Sequence, residues 1–266
     1  ALVDPEFLQI QMEASGLLSM ADALADEGKV KEVSAVLRKL RKRCEAVRER
    51  DFFPSGAAAK TLETLLDSEL PVVCAARSYY RDDVDFIGPD NTHAAKQATT
   101  YLIEQGHRHI AYVGGRADSL TRAERIGGYC ASLLQYGLPF KPEWVLECER
   151  TQRSAADTIA QLLHQHPKVT AILCHYPEVA LGAIYGVEAS GRTVGKDNYI
   201  GQQVALLGFD DVAEAELTFP ALTFVSSPAR DIGRQAALRL LTRLQQPELA
   251  PNRHLIIPSL QKRASA

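Results

Sequence analysis

No stretch of this 266-residue chain approaches the apolar length, about 20 residues, that a membrane-spanning helix needs. Residues 1–10 lack the basic segment followed by an apolar one that marks a secretory signal. Both absences predict a cytoplasmic protein with no membrane partner. Cysteine is sparse and unpatterned. Cys44, Cys74, Cys130, Cys148 and Cys174 are odd in number and widely spaced, with no CxxC or Cys/His ligand spacing. That argues against a disulfide framework or a zinc site, and for small core residues in a reducing compartment. Signatures of common enzymes are also missing: there is no GxSxG elbow, no GxGxxG turn and no HExxH. GRTVGK at 191–196 looks like a phosphate loop, but its glycine spacing is short and Asp197 stands where Ser or Thr is needed. His107 and His109 form an HxH pair that reads more simply as a helix end and a strand start. No nucleophile has an evident base beside it, so neither an enzyme nor a cofactor or metal is expected. A net charge of −3 gives no global field that would draw the whole molecule onto nucleic acid.

What is present is the alternation of an α/β protein. Hydrophobic residues make up 46% and charged residues 24%, ordinary values for a globular chain long enough for one large or two medium domains. Residues 90–115, DNTHAAKQATTYLIEQGHRHIAYVGG, contain a complete unit. Asp90 opens a helix, an apolar stripe runs along it, Gly106 ends it, and 109–113 form a short strand closed by Gly114 and Gly115. Further strands are expected at 71–75, 144–148, 169–174, 204–209, 222–225 and 255–258. Helices are expected within 118–137 and at 154–164, 180–190 and 232–246. Residues 77–90 read as a polar connection. Strands that are continuous apolar runs belong to parallel sheets covered on both faces. The fold class is therefore α/β with doubly wound parallel sheets. Before them, 9–26 has helical apolar spacing, 51–59 is a loop and 60–67 a short helix. Residues 29–50 form an amphipathic helix whose other face is basic, from Lys29 to Arg50. That face is the solvated side of a surface helix or a phosphate-binding patch; the absence of interleaved aromatic or Gly residues weighs against the patch.

In open parallel sheets ligands bind beyond the carboxyl ends of the strands. Here those ends carry a recognition set. Arg125, in SLTRAER, offers a planar fork of donors. Asp210, ending VALLGF, offers two acceptor oxygens. Phe209, Tyr176 and Tyr129 could pack on the apolar face of a sugar. Each has a plainer alternative: Arg125 as a surface ion-pair partner, Asp210 as a helix cap, the tyrosines as core.

Several blocks, in order, resemble the LacI/GalR family of bacterial repressors: residues 90–115, SLTRAERIGGY (119–129), AILCHYPEVALGAI (171–184), VALLGFDD (204–211), PALTFV (220–225) and IIPSLQKR (256–263). The resemblance spans roughly residues 70–265. It implies two lobes like those of periplasmic sugar-binding proteins, joined by three crossings near Gly114, near Val225 and near 253–255. The first lobe would be 1–113 plus 226–253, the second 114–225 plus 254–266. It further implies a small-molecule effector, a carbohydrate or its derivative, held between the lobes, a homodimer, and operator DNA bound through an N-terminal headpiece. Arg125 matches the family's effector-gripping arginine, Thr121 a pocket hydroxyl and Asp210 the pocket aspartate. Ser227 takes a polar pocket position at a crossing. Tyr176 stands where relatives often place Asn, and Gln152 or Arg153 near a position that often carries an aromatic.

Two departures stand out. The helix-turn-helix headpiece and hinge helix of the family are not recognisable in these 266 residues. Residues 29–53 lack the expected strand–helix–strand, so either the first lobe's sheet is incomplete there or the segment packs differently. A stand-alone solute-binding protein of a transport system is the alternative reading, since it shares the two-lobe fold.

Overall fold

The computed structural model describes residues 71–77, 81–197 and 202–266, all within the compact unit Glu69–Ala266. The expected helices over 9–26, 29–50 and 60–67 and the loop over 51–59 lie outside the described residues.

Two parallel sheets organise this unit. The smaller contains β1 (Val73–Ala75), β2 (Asp85–Pro89) and β9 (Arg253–Ile256), in the order β1-β2-β9 and all parallel. Helix α5 (Ala229–Gln245) packs on β1 and β2. The larger has the order β10-β8-β7-β5-β3-β4, with β6 (Thr193–Val194) pairing β7. Its members are β3 (Ile110–Val113), β4 (Val145–Leu146), β5 (Ala171–Cys174), β7 (Gln203–Phe209), β8 (Thr223–Ser226) and β10 (Ser259–Gln261), and only β10 runs antiparallel. Every residue of β3 and β5 is buried, as continuous apolar strands in a doubly covered sheet must be. Helices α1 (Asn91–Glu104) and α2 (Leu120–Gln135) pair with each other, as do α3 (Gln152–Gln165) and α4 (Pro177–Ala189). Two apolar clusters follow. One is centred on Trp144, Ile159, Ile172 and Phe224, the other on Leu102, Tyr112, Tyr129 and Leu207.

Glycine sets how closely the helices meet. At Gly128 an added β-carbon would lie 2.1 Å from the Thr92 carbonyl oxygen, so α1 and α2 touch there backbone to backbone. Gly182 does the same for α3 and α4, where a β-carbon would lie 2.2 Å from the Gln152 carbonyl oxygen.

Three expectations need correction. The segment 77–90, read as a polar connection, contains β2, with Asp85 to Pro89 all buried. The first crossing does not fall at Gly114: β3 pairs with β4 and β5, so the chain enters the larger sheet's layer after Pro89, and α1 and β3 belong with that sheet. The last crossing lies beyond β9, between Ile256 and Ser259, because β9 still pairs with β2.

An acid begins β2 because it has cationic partners. The buried Asp85 carboxylate accepts from Arg239 Nε at 2.8 Å, from Arg243 Nε and from the Asn252 amide at 2.7 Å, which ties α5 and the start of β9 to β2. Burial alone would raise its pKa, but the hydrogen bonds from Arg243, Asn252 and Arg239 outweigh it and hold the carboxyl below its ordinary value. A depressed folded pKa contributes stability that is complete above the unfolded value, about 4, and lost as pH falls through the folded one. Asp85→Ala should cost about 3 kcal/mol at pH 7, since it strands two half-buried guanidinium groups. The difference from wild type should shrink below about pH 4, as denaturation curves at several pH values will show.

The remaining motifs are structural. His107 Nδ1 lies 2.9 Å from Thr170 Oγ1, and burial, with Arg108 nearby, pushes its pKa down to about 4. His109 packs edge-on against Trp144. In the GRTVGK stretch, Arg192 donates to the Val169 and Gln203 carbonyls. The four described cysteines are free thiols, half-buried or buried, and burial raises their pKa, to about 11 for Cys148.

Candidate functional site

Arg125 projects from the second turn of α2, and only 4% of its side chain is exposed. Three elements supply its acceptors. Nε donates to Asn91 Oδ1 at the start of α1 (3.0 Å), Nη1 to the His175 carbonyl after β5 (2.8 Å) and Nη2 to Asp210 Oδ2 after β7 (3.0 Å). The guanidinium also lies 4.4 Å above the centre of the Phe209 ring. The plainer reading of Arg125, a surface ion-pair partner, fails on burial.

Asp210 is 43% exposed and adopts φ +64°, in the left-handed region that few residues but Gly, Asn and Asp enter readily. Its amide donates to the Val225 carbonyl at 2.9 Å, which fixes this turn against β8. Its side chain caps no helix: the 3-10 turn Ala213–Glu216 that follows is preceded by Val212 and has no side-chain cap. One carboxylate oxygen is held by Arg125 and the other side of the group faces solvent. The second acid of the motif does different work. Asp211 pairs with Arg263 through two bonds of 2.9 and 2.8 Å and fixes the C-terminal segment.

Arg125, Phe209, Asp210 and Ser227 line one small cleft, together with Pro89, Asn91, Ala94, Val225 and Pro258. The cleft therefore sits where the chain passes from one sheet to the other, beside β2, β8 and the residues before β10. Arg125 and Asp210 do not face each other across it. They come from the same layer and bond directly, so they form one wall with a paired guanidinium and carboxylate.

Thr121 and Tyr176 do not line this cleft. Thr121 lies in the first turn of α2, and Tyr176 precedes α4, where its ring meets His175 edge-on at 4.3 Å and carries Arg150 above it at 4.8 Å. Tyr129 is core: fully buried, its hydroxyl donates to the Ile110 carbonyl. Gln152 and Arg153 begin α3 and are exposed.

Residue-by-residue reading missed Asn91, and it marked His175 only as one of the residues that follow a strand. Asn91 accepts from Arg125 and donates through Nδ2 to Glu124 Oε2 at 2.9 Å, and Glu124 in turn accepts from Arg253 of β9 at 2.9 Å. This chain of bonds links Asp210 to the smaller sheet. His175 is buried, with Nδ1 bonded to the Tyr112 hydroxyl. Burial, with Arg125, Arg122 and Arg150 nearby, keeps its pKa well below the ordinary histidine value, so the imidazole is neutral.

Residues 56–264 match the family model described as periplasmic binding proteins and sugar binding domain of the LacI family. The chain belongs to the LacI family. It is 43% identical to the maltose regulon regulatory protein MalI of Escherichia coli over 196 residues, which cover 73% of this chain and 57% of that protein. Catabolite control protein A of Priestia megaterium is 29% identical over 88% of this chain and 68% of its own length. Among solved structures, the complex of the transcriptional regulator CelR with cellobiose superposes with a TM-score of 0.65, at 31% identity over 72% of this chain and 57% of that one. The match thus spans little more than half of MalI and CelR. The family carries the periplasmic-binding-protein-like fold that the two parallel sheets show.

Proposed function

We propose that this unit is the effector-binding core of a transcriptional regulator and that its effector is a carbohydrate or carbohydrate derivative. One observation carries the reading: the buried Arg125, stacked on Phe209 and paired with the half-exposed Asp210, at the mouth of a cleft between two sheets. Asp210 keeps acceptor capacity for hydroxyl groups, and the Phe209 edge with Val225 and Pro258 offers apolar wall. Ser227, after β8, lines the same cleft, and an effector that extends past it would add Thr121 and Tyr176, which follow β3 and β5. That CelR was solved with cellobiose supports the ligand class. Effector binding changes how the two sheets' layers close, with a coupling on the order of 1–3 kcal/mol, and a DNA-binding headpiece reads that change. Calorimetric titration with neutral mono- and disaccharides tests the reading. Saturable binding of at least one is expected, and no saturable heat across the panel contradicts it.

The same proposal includes a homodimer. Leu217 (86% exposed) and Phe219 (96% exposed) protrude beside the 3-10 turn, and a second copy of the chain would cover them. Phe219→Asp should weaken self-association at least tenfold in sedimentation experiments. An unchanged association constant would place the interface elsewhere.

A further inference from the structure

Glu124 stands beside Arg125 on α2, but it bonds to the other sheet. Its two carboxylate oxygens are divided between two partners. Oε1 accepts from Arg253 Nη2 of β9 at 2.9 Å, and Oε2 accepts from Asn91 Nδ2 at 2.9 Å. The buried Asn91 in turn accepts from Arg125 Nε through Oδ1 at 3.0 Å. Side chains alone therefore connect the cleft to β9: Asp210 to Arg125, Arg125 to Asn91, Asn91 to Glu124 and Glu124 to Arg253.

Hydrogen-bond chemistry gives this path a fixed polarity. An ionised Glu124 only accepts and Arg125 only donates, so Asn91 satisfies both with its amide in one orientation, Nδ2 toward the acid and Oδ1 toward the guanidinium. A turned amide would set Nδ2 against Arg125 Nε, donor to donor. The carboxylate thus selects the amide orientation that Arg125 needs.

The far end of the path is rooted in the smaller sheet. Arg253 pairs with Phe86 of β2 in the strand register, and its guanidinium lies 4.6 Å from the centre of the Phe86 ring. Three residues on, the Ile256 carbonyl accepts from the Asp90 amide at 2.9 Å, which holds β9 close to the start of α1. The Glu124–Arg253 pair is itself partly open to solvent, with side chains 19% and 38% exposed. Such a pair adds little to stability and parts at small cost. The bonds to Asn91 and Arg125 lie deeper, so the path runs from a firmly held end at the cleft to a breakable end at β9.

We propose that Glu124 is a positioning residue for the effector site, and that its bond to Arg253 carries a change at Asp210 to the smaller sheet. This rests on the reading of the unit as an effector-binding core, and it deepens that reading by naming the side chains through which the cleft and the closure of the two sheets' layers are coupled. A mere staple between the layers would hold them together without passing a change at one end to the other.

The first part of the test needs no effector. In ¹⁵N-labelled protein, Asp210→Asn removes the charge at the cleft end, and the backbone amides of residues 254–256 are followed by NMR. The substitution is made in the wild-type, Glu124→Gln and Arg253→Gln backgrounds, with folding checked by thermal melts. D210N should shift these amides in the wild-type background, and the shift should shrink at least threefold in both others. Arg253→Lys, which keeps a cation, should retain more of it than R253Q. Should E124Q fail to fold, R253Q, altered at an exposed side chain, decides alone. No shift at 254–256 with both residues intact, or a reduction below threefold in either folded background, overturns the proposal. Neutral saccharides, cellobiose among them, are then titrated calorimetrically. Arg253 lines no part of the cleft, yet R253Q should bind at least threefold more weakly any sugar that wild type binds, and equal affinity overturns the positioning role. The effector reading fails separately: a protein that binds no saccharide of the panel, but in which D210N moves β9 only through Glu124, sustains the relay and removes the carbohydrate proposal.

Discussion

Replacing Arg125 by alanine should abolish effector binding, by at least a hundredfold, and lower stability by about 3–5 kcal/mol. Both effects have one cause. The guanidinium is the shared partner of Asn91, the His175 carbonyl and Asp210, which approach from α1, β5 and β7. Removing it leaves a buried amide oxygen and a buried carbonyl without their donor, and a carboxylate without its cation. Lysine should recover little. It has one nitrogen on a flexible stem, cannot span three acceptors in the guanidinium plane and cannot stack flat on Phe209. Arg125→Lys should therefore bind at least tenfold more weakly than wild type, while its melting temperature recovers only part of the alanine loss. Urea denaturation and calorimetry read the two effects independently. Near-wild-type stability in Arg125→Ala would mean that the three acceptors find other donors, and that the cleft wall is not built on this side chain.

The second large effect belongs to a residue that touches no ligand. Gly128→Ala should destabilise the unit by about 3 kcal/mol, because its β-carbon would lie 2.1 Å from the Thr92 carbonyl oxygen and 2.9 Å from the Lys96 nitrogen, both backbone atoms with no rotamer to yield. The helices α1 and α2 would have to separate. Since α1 begins with Asn91 and α2 carries Arg125, that separation also stretches the 3.0 Å bond between them. Reduced effector affinity should accompany the lower melting temperature. Gly127 supplies the control. It is exposed, and a β-carbon there meets nothing within 4 Å. Alanine at 127 should stabilise α2 by about 0.5–1 kcal/mol, the ordinary gain of alanine over glycine in a helix. Opposite signs at adjacent glycines would establish that close helix contact, and not helix propensity, governs position 128.

How far the sequence alone reaches can be judged from particular residues. The unit 90–115 was legible because its signals are local: Asp90 accepts from the His93 amide at 2.8 Å, and Gly106 ends the helix at φ +95°. Strand β2 was not legible. It begins with an acid, ends with a proline and is five residues long, and Asp85 is tolerated in it only because arginines 154 and 158 positions later clasp it. The first crossing was misplaced for a related reason. A glycine pair that closes a strand marks a turn, but it does not say which sheet the strand joins. At the site, Arg125, Asp210, Phe209 and Ser227 were found by family resemblance and by their place after strands, and the structure gathers all four around one cleft. Asn91 escaped notice, and His175 was marked only by its place after a strand, because their roles come from partners 34 and 63 residues away, Arg125 and Tyr112. The direct bond between Arg125 and Asp210 escaped for the same reason, since 85 residues separate them.

The central claim is that the Asp210 carboxylate, held in a left-handed turn by Arg125, accepts hydrogen bonds from the hydroxyls of a sugar-like effector. Asp210→Asn tests it most directly, because asparagine tolerates the same backbone conformation and keeps the shape while removing the charge. Calorimetric titration of wild type and D210N with whichever saccharide the panel identifies should show at least tenfold weaker binding in the variant, at unchanged stoichiometry and with a preserved fold. Equal affinity in the two proteins would contradict the account, because the carboxylate would then have no part in holding the ligand.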